Sequence, residues 1–250
     1  VVRKRFLVLL PLLAAVSLMS CGESAPANTN RPLTDNEATR LAQTRNRNYL
    51  SGGAKFEATS AFLGIATPET ITLTGVIDWA KHAGRATVKS SVGTDVVEVY
   101  FEEKFLLERR LGFDTISPAL GGPSAPWFVR LPEPSTRQLD RLLGIIMSLA
   151  TEQPENALLL QQTPGTSFLR NDLIFGKTAD VLRFGERSIY WLKTDTDELL
   201  RFESDAETGN APVLIDILES GSFTAEAPNK SDVVSPQEFP EIYAQIQGGS

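Results

Sequence analysis

The sequence predicts an α+β fold in which helices cover one face of a large antiparallel β-sheet. Three observations predict this fold: a capped amphipathic helix that starts near residue 34, two series of short strands joined by polar turns, and a strongly apolar helix between the series. Strands joined by short turns pair antiparallel, and an apolar sheet face needs helices to cover it. Because no long linker divides the second half, residues 34–250 are predicted to form a single domain.

The first predicted helix starts at Thr34. The stretch Thr34-Asp35-Asn36-Glu37 has the spacing of a capping box, in which the threonine hydroxyl and the glutamate carboxylate each accept a hydrogen bond from a free backbone N–H. Small and apolar side chains then recur at helical spacing as far as Tyr49, and Ser51-Gly52-Gly53 ends the helix. The helix is only weakly apolar, so we expect it to cover a core rather than to fill one.

Strand patterns occupy two stretches of the chain. Apolar residues alternate with threonines and other polar residues from Ile71 to Trp79, which predicts a half-buried strand. Short polar turns such as Lys81-His82 and Gly93-Thr94 separate the strands, so each stretch is predicted to be an antiparallel meander. The other predicted strands are 83–92, 95–101 and 104–110 in the first meander and 180–184, 189–193, 199–203 and 213–218 in the second.

The segment between the two meanders has a different composition. Residues 112–134 are rich in proline and glycine and are predicted to be mostly loop, with Trp127-Phe128-Val129 as a short edge strand. Ser135 is predicted to cap the helix that follows, and residues 235–246 to form a short terminal helix or an irregular lid. The central helix carries a wide apolar stripe and should be the main helix on the sheet; the stripe consists of Leu139, Leu142, Leu143, Ile146, Met147 and Leu149.

The first residues contain an export signal. Three basic residues precede residues 6–18, an apolar run that is shorter than the ~20 residues needed to cross a bilayer as a helix and that suits a signal peptide. The run ends in Leu18-Met19-Ser20-Cys21, which resembles a bacterial lipobox whose cysteine receives a diacylglycerol group. Residues 1–20 are therefore predicted to be a lipoprotein signal peptide, Cys21 the lipidation site and residues 21–33 a flexible tether. An ordinary cleaved signal, with Cys21 as a bystander, is the alternative.

Charge limits which partners the exported chain can have, and cysteine content limits how the chain can be stabilised. The sequence has 24 Lys+Arg, 31 Asp+Glu and a formal net charge of −7. Removal of residues 1–20 takes away Arg3, Lys4 and Arg5, so the basic residues fall to 21 and the charge to −10. This acidity argues against nucleic acid and against an anionic lipid surface as electrostatic partners. Because Cys21 is the single cysteine, no intramolecular disulfide is available, and the domain depends on its own core.

The residue pattern contains little that predicts catalysis. The single histidine, His82, lies in a predicted turn, and no nucleophile-elbow or phosphate-binding glycine pattern accompanies it. Glu102-Glu103 and the pair Asp195 and Asp197 also lie in predicted turns, where surface charge is the ordinary role. The sequence leaves open whether two carboxylates form a catalytic pair across a cleft, because such a pair is defined by the distance between the groups in the folded chain. We therefore predict no enzyme, no catalytic residue, no metal site and no cofactor.

Two stretches together with the lipobox resemble a known superfamily. ITLTGVIDWAKHAGRATVKS (residues 71–90) and IYWLKTDTDELLRFE (residues 189–203), with a central helix between them, resemble the LppX/LprG-type and LolA-like lipoproteins of the bacterial envelope. The resemblance implies a strongly curved antiparallel sheet, a half-barrel, with helices packed on its concave face and an apolar cavity for lipid acyl chains. The proline-rich middle segment departs from the family pattern, which leaves open whether the cavity is open or filled.

The resemblance implies a function without catalysis. The expected function is that of an envelope lipoprotein, anchored to the outer face of the cell membrane by acyl chains on Cys21, that binds or carries a lipid or glycolipid. The alternative is an interaction or sensory module with a filled core and an envelope protein as its partner. If the sheet surrounds a void, the residues expected to line it are Leu73, Ile77, Trp79, Val99, Phe101, Leu143, Ile146 and Trp191.

Overall fold

The computed structural model of the protein describes residues 30–62, 69–204 and 210–248. Its helices are α1 (Asp35–Ser51), α2 (Phe113–Ala119), α3 (Gln138–Ser148), α4 (Ala157–Gln162) and α5 (Pro240–Gly248), and a short 3-10 turn spans Lys230–Asp232. The strands of the first half are β1 (Gly53–Phe62), β2 (Glu69–Asp78), β3 (Ala83–Ser90), β4 (Val96–Glu102), β5 (Leu106–Arg110) and β6 (Trp127–Arg130). The strands of the second half are β7 (Ser167–Ile174), β8 (Lys177–Phe184), β9 (Ser188–Lys193), β10 (Leu199–Ser204), β11 (Asn210–Gly221) and β12 (Val233–Val234).

All twelve of these strands belong to one sheet, in the order β12-β6-β5-β4-β3-β2-β1-β11-β10-β9-β8-β7. Two meanders meet in the middle of this sheet, because β1 pairs with both β2 and β11. The pairs are antiparallel except for β12, which lies parallel to β6. Within the described residues the sheet stays open, with β7 and β12 as its two edges. The predicted fold class, an α+β half-barrel with helices on one face of a large antiparallel sheet, is confirmed.

The start of α1 confirms the predicted capping box. The hydroxyl of Thr34 accepts a hydrogen bond from the backbone N–H of Glu37 at 3.3 Å, and the Glu37 carboxylate accepts one from the Thr34 N–H at 2.8 Å. The helix ends where Gly52 adopts a φ of 92°, a conformation that disfavours residues with a Cβ. Its apolar residues Ala38, Leu41 and Ala42 are buried in the main core.

Helix α3 lies on the same face of the sheet as α1, and α1 holds its C-terminal end. The last carbonyls of a helix have no partner inside the helix and need one elsewhere. Here the side chain of Arg45 donates to the Ser148 carbonyl at 2.7 Å, and the amide of Asn48 donates to the Leu149 carbonyl at 2.7 Å. The orientation of α3 is therefore determined by polar contacts as well as by its apolar stripe.

The structure corrects three details of the central segment. Ser135 does not cap α3, since Arg137 occupies the N-cap and makes no side-chain cap bond. Residues before the helix instead form a turn in which the Glu133 carbonyl accepts from the N–H groups of Thr136 and Arg137. The strand at Trp127 is not at the edge, because β12 pairs beyond it, and α2 was not predicted inside the proline-rich segment.

Candidate functional site

Seven of the eight predicted cavity residues lie together in the main core on the helix side of the sheet; they are Leu73, Ile77, Trp79, Val99, Phe101, Leu143 and Ile146. Each of the seven exposes 1% or less of its surface. The cluster joins β2, β4 and α3, which the chain separates by dozens of residues. One face of the strands and the apolar stripe of α3 therefore meet in a single cluster, as the two sequence patterns predict.

Trp191 is the exception among the eight. It lies on the opposite face of the sheet, in a separate cluster with Val181 and Leu200, whereas its neighbours Tyr190 and Leu192 belong to the main core. Successive side chains of a strand point to opposite faces, so one of the two adjacent aromatic residues must face away from the helices. The placement of Trp191 at the site is therefore corrected.

The space between the sheet and α3 is filled where the seven residues lie. The indole N–H of Trp79 donates to the Ile146 carbonyl at 3.2 Å, and both side chains are fully buried. None of the seven lines either of the two grooves described below. Beside this filled core, one groove lies at each end of α3.

The first groove lies at the N-terminal end of α3 and has a volume of about 320 Å³. This is near the lower end of the range for small-molecule sites, about 300–1,000 Å³. Apolar side chains from three strands and the helix contribute to its lining: Ile71, Val88, Val96 and Leu139. The remaining lining residues are Glu69, Thr94, Glu108, Arg130, Thr136, Arg137 and Gln138. The groove therefore combines an apolar lining with charged groups, as a ligand with an apolar and a polar part requires.

Arg130 is the most highly connected charge of this groove. Its guanidinium donates to Asp140 at 2.5 Å from two nitrogens and to Glu108 at 2.6 Å, and both carboxylates are almost completely buried. Burial opposes the charge on Arg130, but the hydrogen bonds with Asp140 and Glu108 outweigh it and raise the pKa of the guanidinium. Asp140 also accepts from the Glu133 N–H at 2.6 Å, which connects the loop before α3 to the helix.

The other polar groups of the groove are held less tightly. Arg137 is 44% exposed at its side chain and contacts Glu133, which is 56% exposed. Gln138 donates to the hydroxyl of Ser60 at 2.8 Å, and this bond ties the start of α3 to β1. Glu69 accepts from Ser90 at 2.7 Å across β2 and β3. Arg137 is consequently the cation of this groove with the greatest freedom to meet a ligand.

The second groove lies at the C-terminal end of α3 and has a volume of about 350 Å³. Its aromatic wall is formed by Tyr190 and Phe202, whose rings meet edge to face with centroids 5.0 Å apart. Burial raises the pKa of Tyr190 to about 12, so its hydroxyl stays protonated at neutral pH. An ion pair of 2.6 Å between Arg45 and Glu155 lies in the lining of the same groove.

The remaining predicted sites fall in two classes. Cys21 and the lipobox residues Leu18, Met19 and Ser20 lie outside the described residues. His82 is described and lies exposed in the turn between β2 and β3, as predicted, with a positive φ of 51°.

Among the described residues, no group of three or more His, Cys, Asp or Glu side chains is arranged to hold a metal ion. No helix in the same part of the chain is long and apolar enough to cross a bilayer.

Comparison with known proteins gives similarities of structure only. No family model and no curated protein sequence matches the chain. LprF from Mycobacterium bovis is similar with a TM-score of 0.42 and 15% identity over 79% of this chain and 98% of that one. A LolA superfamily protein from Nitrosomonas europaea has a TM-score of 0.32 and 8% identity over 80% and 97% of the two chains.

Sequence reasoning missed the charged part of the first groove. Arg130 and Glu108 lie on neighbouring strands, and Arg137 and Gln138 lie at the start of α3, so no spacing along the chain joins them. Ile71 and Leu139 were recognised as members of apolar faces, but nothing in the pattern separates residues that fill a core from residues that line its open end. The only signal was the density of charged residues around the proline-rich segment.

Proposed function

We propose that the protein is an exported envelope lipoprotein, anchored by acyl chains on Cys21, that binds the apolar part of an amphipathic lipid or glycolipid in the groove at the N-terminal end of α3. The observation that carries this proposal is the composition of that groove, in which Ile71, Val88, Val96 and Leu139 line a volume of about 320 Å³. The nearby guanidinium of Arg137 is 44% exposed and would meet an anionic or hydroxylated headgroup.

Binding rather than catalysis is what the described groups support. The strongest polar cluster of the groove, Arg130 with Glu108 and Asp140, is satisfied internally. A catalytic acid or base must reach a substrate atom, and these carboxylates are engaged with the arginine. The proposed action is thus reversible binding, without a bond being made or broken.

A lipid-extraction experiment tests the groove. The full-length protein is purified from a bacterial host, extracted with organic solvent and analysed by mass spectrometry for lipid that is not covalently bound. Ile71→Trp should fill the groove and strongly reduce the extracted lipid. Thr74→Trp is the matched control, because Thr74 is exposed on the same strand and points to the other face. Equal amounts of lipid from both variants and from the parent protein would contradict the proposal.

The anchor has its own test. Replacement of Cys21 by Ala should abolish labelling with a radioactive fatty acid and leave the protein unanchored or its precursor uncleaved. Labelling that persists in the Cys21→Ala variant would contradict acylation at this residue, and it would leave the result for the groove unaffected.

A protein partner is the second candidate function. The packing of Trp79 and Phe101, both 1% exposed or less, leaves the middle of the sheet closed to a ligand. At the same time, Leu111, just before the proline-rich segment, and Leu131, within it, are 69% and 71% exposed. A photo-crosslinking residue at Leu131 in intact cells would capture a single dominant protein if this candidate is right, with negligible extracted lipid.

A further inference from the structure

Arg31 is held at the free edge of the sheet by three kinds of contact. Its backbone exchanges two hydrogen bonds with Phe168 on β7, at 3.1 and 2.8 Å. Its guanidinium donates to both oxygens of Glu37 at 2.7 Å and lies over the ring of Phe168, 4.2 Å from the centroid. The point at which the segment after Cys21 meets the domain is therefore fixed at β7.

Two exposed leucines lie beside this point. Leu158 and Leu159 on α4 are 61% and 63% exposed. On the same helix, the side chain of Gln161 donates to the Leu33 carbonyl at 2.9 Å. Residues three apart are neighbours on a helix surface, so Leu158 adjoins Gln161. The leucine pair thus lies within about one helical turn, ~5 Å along the axis, of the residue that touches Leu33.

A polar groove with a second arginine lies along the β7 edge beside Arg31. It has a volume of about 330 Å³, and its lining consists of Asn30, Arg31, Pro32, Gly165, Thr166, Ser167 and Arg183. Arg31 is paired with Glu37, but the Nε of Arg183 has no hydrogen-bond partner in the described part of the chain. That Nε atom is buried, and because the neighbouring Leu182 faces the main core, the Arg183 side chain points to the opposite face of the sheet. The exposed leucines are therefore the part of this edge that offers apolar surface to acyl chains.

The length of chain between Cys21 and Arg31 limits how the domain can face a membrane. Ten residue steps span at most about 35 Å. A domain of this size is about 40 to 45 Å across. An orientation that rests the β12 edge on the bilayer would lift Arg31, at the opposite edge, beyond that reach. The tether therefore keeps Arg31, and with it the nearby helix α4, within about 35 Å of the bilayer.

We propose that Leu158 and Leu159 dock on the phospholipid bilayer that carries the Cys21 anchor, through apolar contact with its acyl chains. This inference rests on the anchor in the proposed function and is separate from the ligand groove. Docking would hold the domain in one orientation, so that the sheet edge at β7 meets the membrane.

Site-directed spin labelling of the full-length protein in vesicles of phosphatidylcholine and phosphatidylglycerol tests the docking. Acylation consumes the single native thiol, so Leu158→Cys gives one labelling site. Leu131→Cys is the matched control, because Leu131 is 71% exposed and follows β6 at the far end of the sheet. On vesicles, the label at residue 158 should gain accessibility to oxygen and lose accessibility to a water-soluble nickel complex, and the label at residue 131 should change in neither respect.

Two results would overturn the docking. In the first, the label at residue 158 stays as accessible to the nickel complex as the label at residue 131 while the protein remains bound to vesicles. In the second, dipolar broadening shows that the labels of two copies meet, which would assign the leucines to a contact between copies. If Leu158→Cys fails to fold, Leu159→Cys is labelled in its place.

A failed anchor is distinguishable from failed docking. A chain without acyl groups is recognised by its mass and by its separation from the vesicles. In that case an N-terminal histidine tag on a Cys21→Ser chain and a nickel-chelating lipid replace the anchor, and the labels at residues 158 and 131 are compared by oxygen accessibility. A label at residue 158 that stays in water would then still overturn the docking.

Discussion

The indole N–H of Trp79 donates a hydrogen bond to the backbone carbonyl of Ile146, with 3.2 Å between the nitrogen and the oxygen. Trp79 directly follows β2, and Ile146 lies in the last turn of α3. The same carbonyl also accepts from the Leu149 N–H at 3.3 Å, so the indole is a second, buried donor to the end of the helix. It also holds the main helix against the sheet at the centre of the core.

Replacement of Trp79 by Phe should lower the free energy of unfolding by about 2 kcal/mol, because the variant loses both the buried hydrogen bond and part of the ring volume. Urea unfolding followed by circular dichroism measures this change. Trp191→Phe is the matched control: the indole of Trp191 donates to Asp172, whose side chain is 36% exposed, and water can replace that partner. An equal loss in both variants would contradict the role given to the Trp79 bond.

Replacement of Arg130 by Met should destabilise the protein by about 3–5 kcal/mol, since it leaves the buried carboxylate of Asp140 without its cation and the buried carboxylate of Glu108 with Arg110 alone. The midpoint of urea unfolding and the slope of the free energy of unfolding against urea concentration measure this change. Arg137→Met removes a cation from the same groove, but its ion pair with Glu133 is exposed and is worth less than about 1 kcal/mol. A small effect of Arg130→Met would show that the two carboxylates find other partners.

Acid should destabilise the N-terminal end of α1, because it protonates the Glu37 carboxylate. Hydrogen bonds from Arg31 and Thr34 lower the pKa of Glu37 from 4.5 to about 2. Because the pKa is lower in the folded chain, the stabilisation is fully present above pH 4.5 and is lost as the pH falls from there toward 2. Since Arg31 is 42% exposed, solvent screens the pair, and we expect a contribution of about 1 kcal/mol.

Glu37→Gln isolates this charge effect, because glutamine still completes a capping box. Stability measured by urea unfolding at a series of pH values should fall less steeply below pH 4.5 in the variant than in the parent protein. Glu57→Gln, at an exposed position of β1, is the control and should leave the acid dependence as it is. An unchanged slope in Glu37→Gln would contradict the lowered pKa.

Two glycines should respond to alanine in opposite directions. A Cβ at Gly84 would overlap the fully buried ring of Phe101, so Gly84→Ala should cost about 1–3 kcal/mol. A Cβ at Gly144 in α3 would meet no atom within 4 Å, and Gly144→Ala should stabilise the helix by about 0.5–1 kcal/mol. Thermal unfolding of both variants measures the difference. A loss of stability in Gly144→Ala would be inconsistent with this helix packing.

Much of the fold could be predicted from residues that lie close together in the sequence. The capping box at Thr34 and Glu37 depends on atoms three residues apart, and the alternation from Ile71 to Trp79 depends on a period of two. These patterns report local geometry directly. The export signal and Cys21 also rest on the sequence alone and stay predictions.

Tertiary structure decided what local patterns leave open. The sequence determined that Tyr190 and Trp191 point to opposite faces of a strand, but only the packed sheet decided that Tyr190 faces the helices. Likewise, α3 starts after Arg137 without a cap from Ser135, and Arg130 on β6 binds Asp140 in its first turn. The groove at the N-terminal end of α3 is composed of residues from β2, β3, β4, β5, β6 and α3. Its shape depends on how these distant elements pack, and a one-dimensional pattern carries no information about the space left between them.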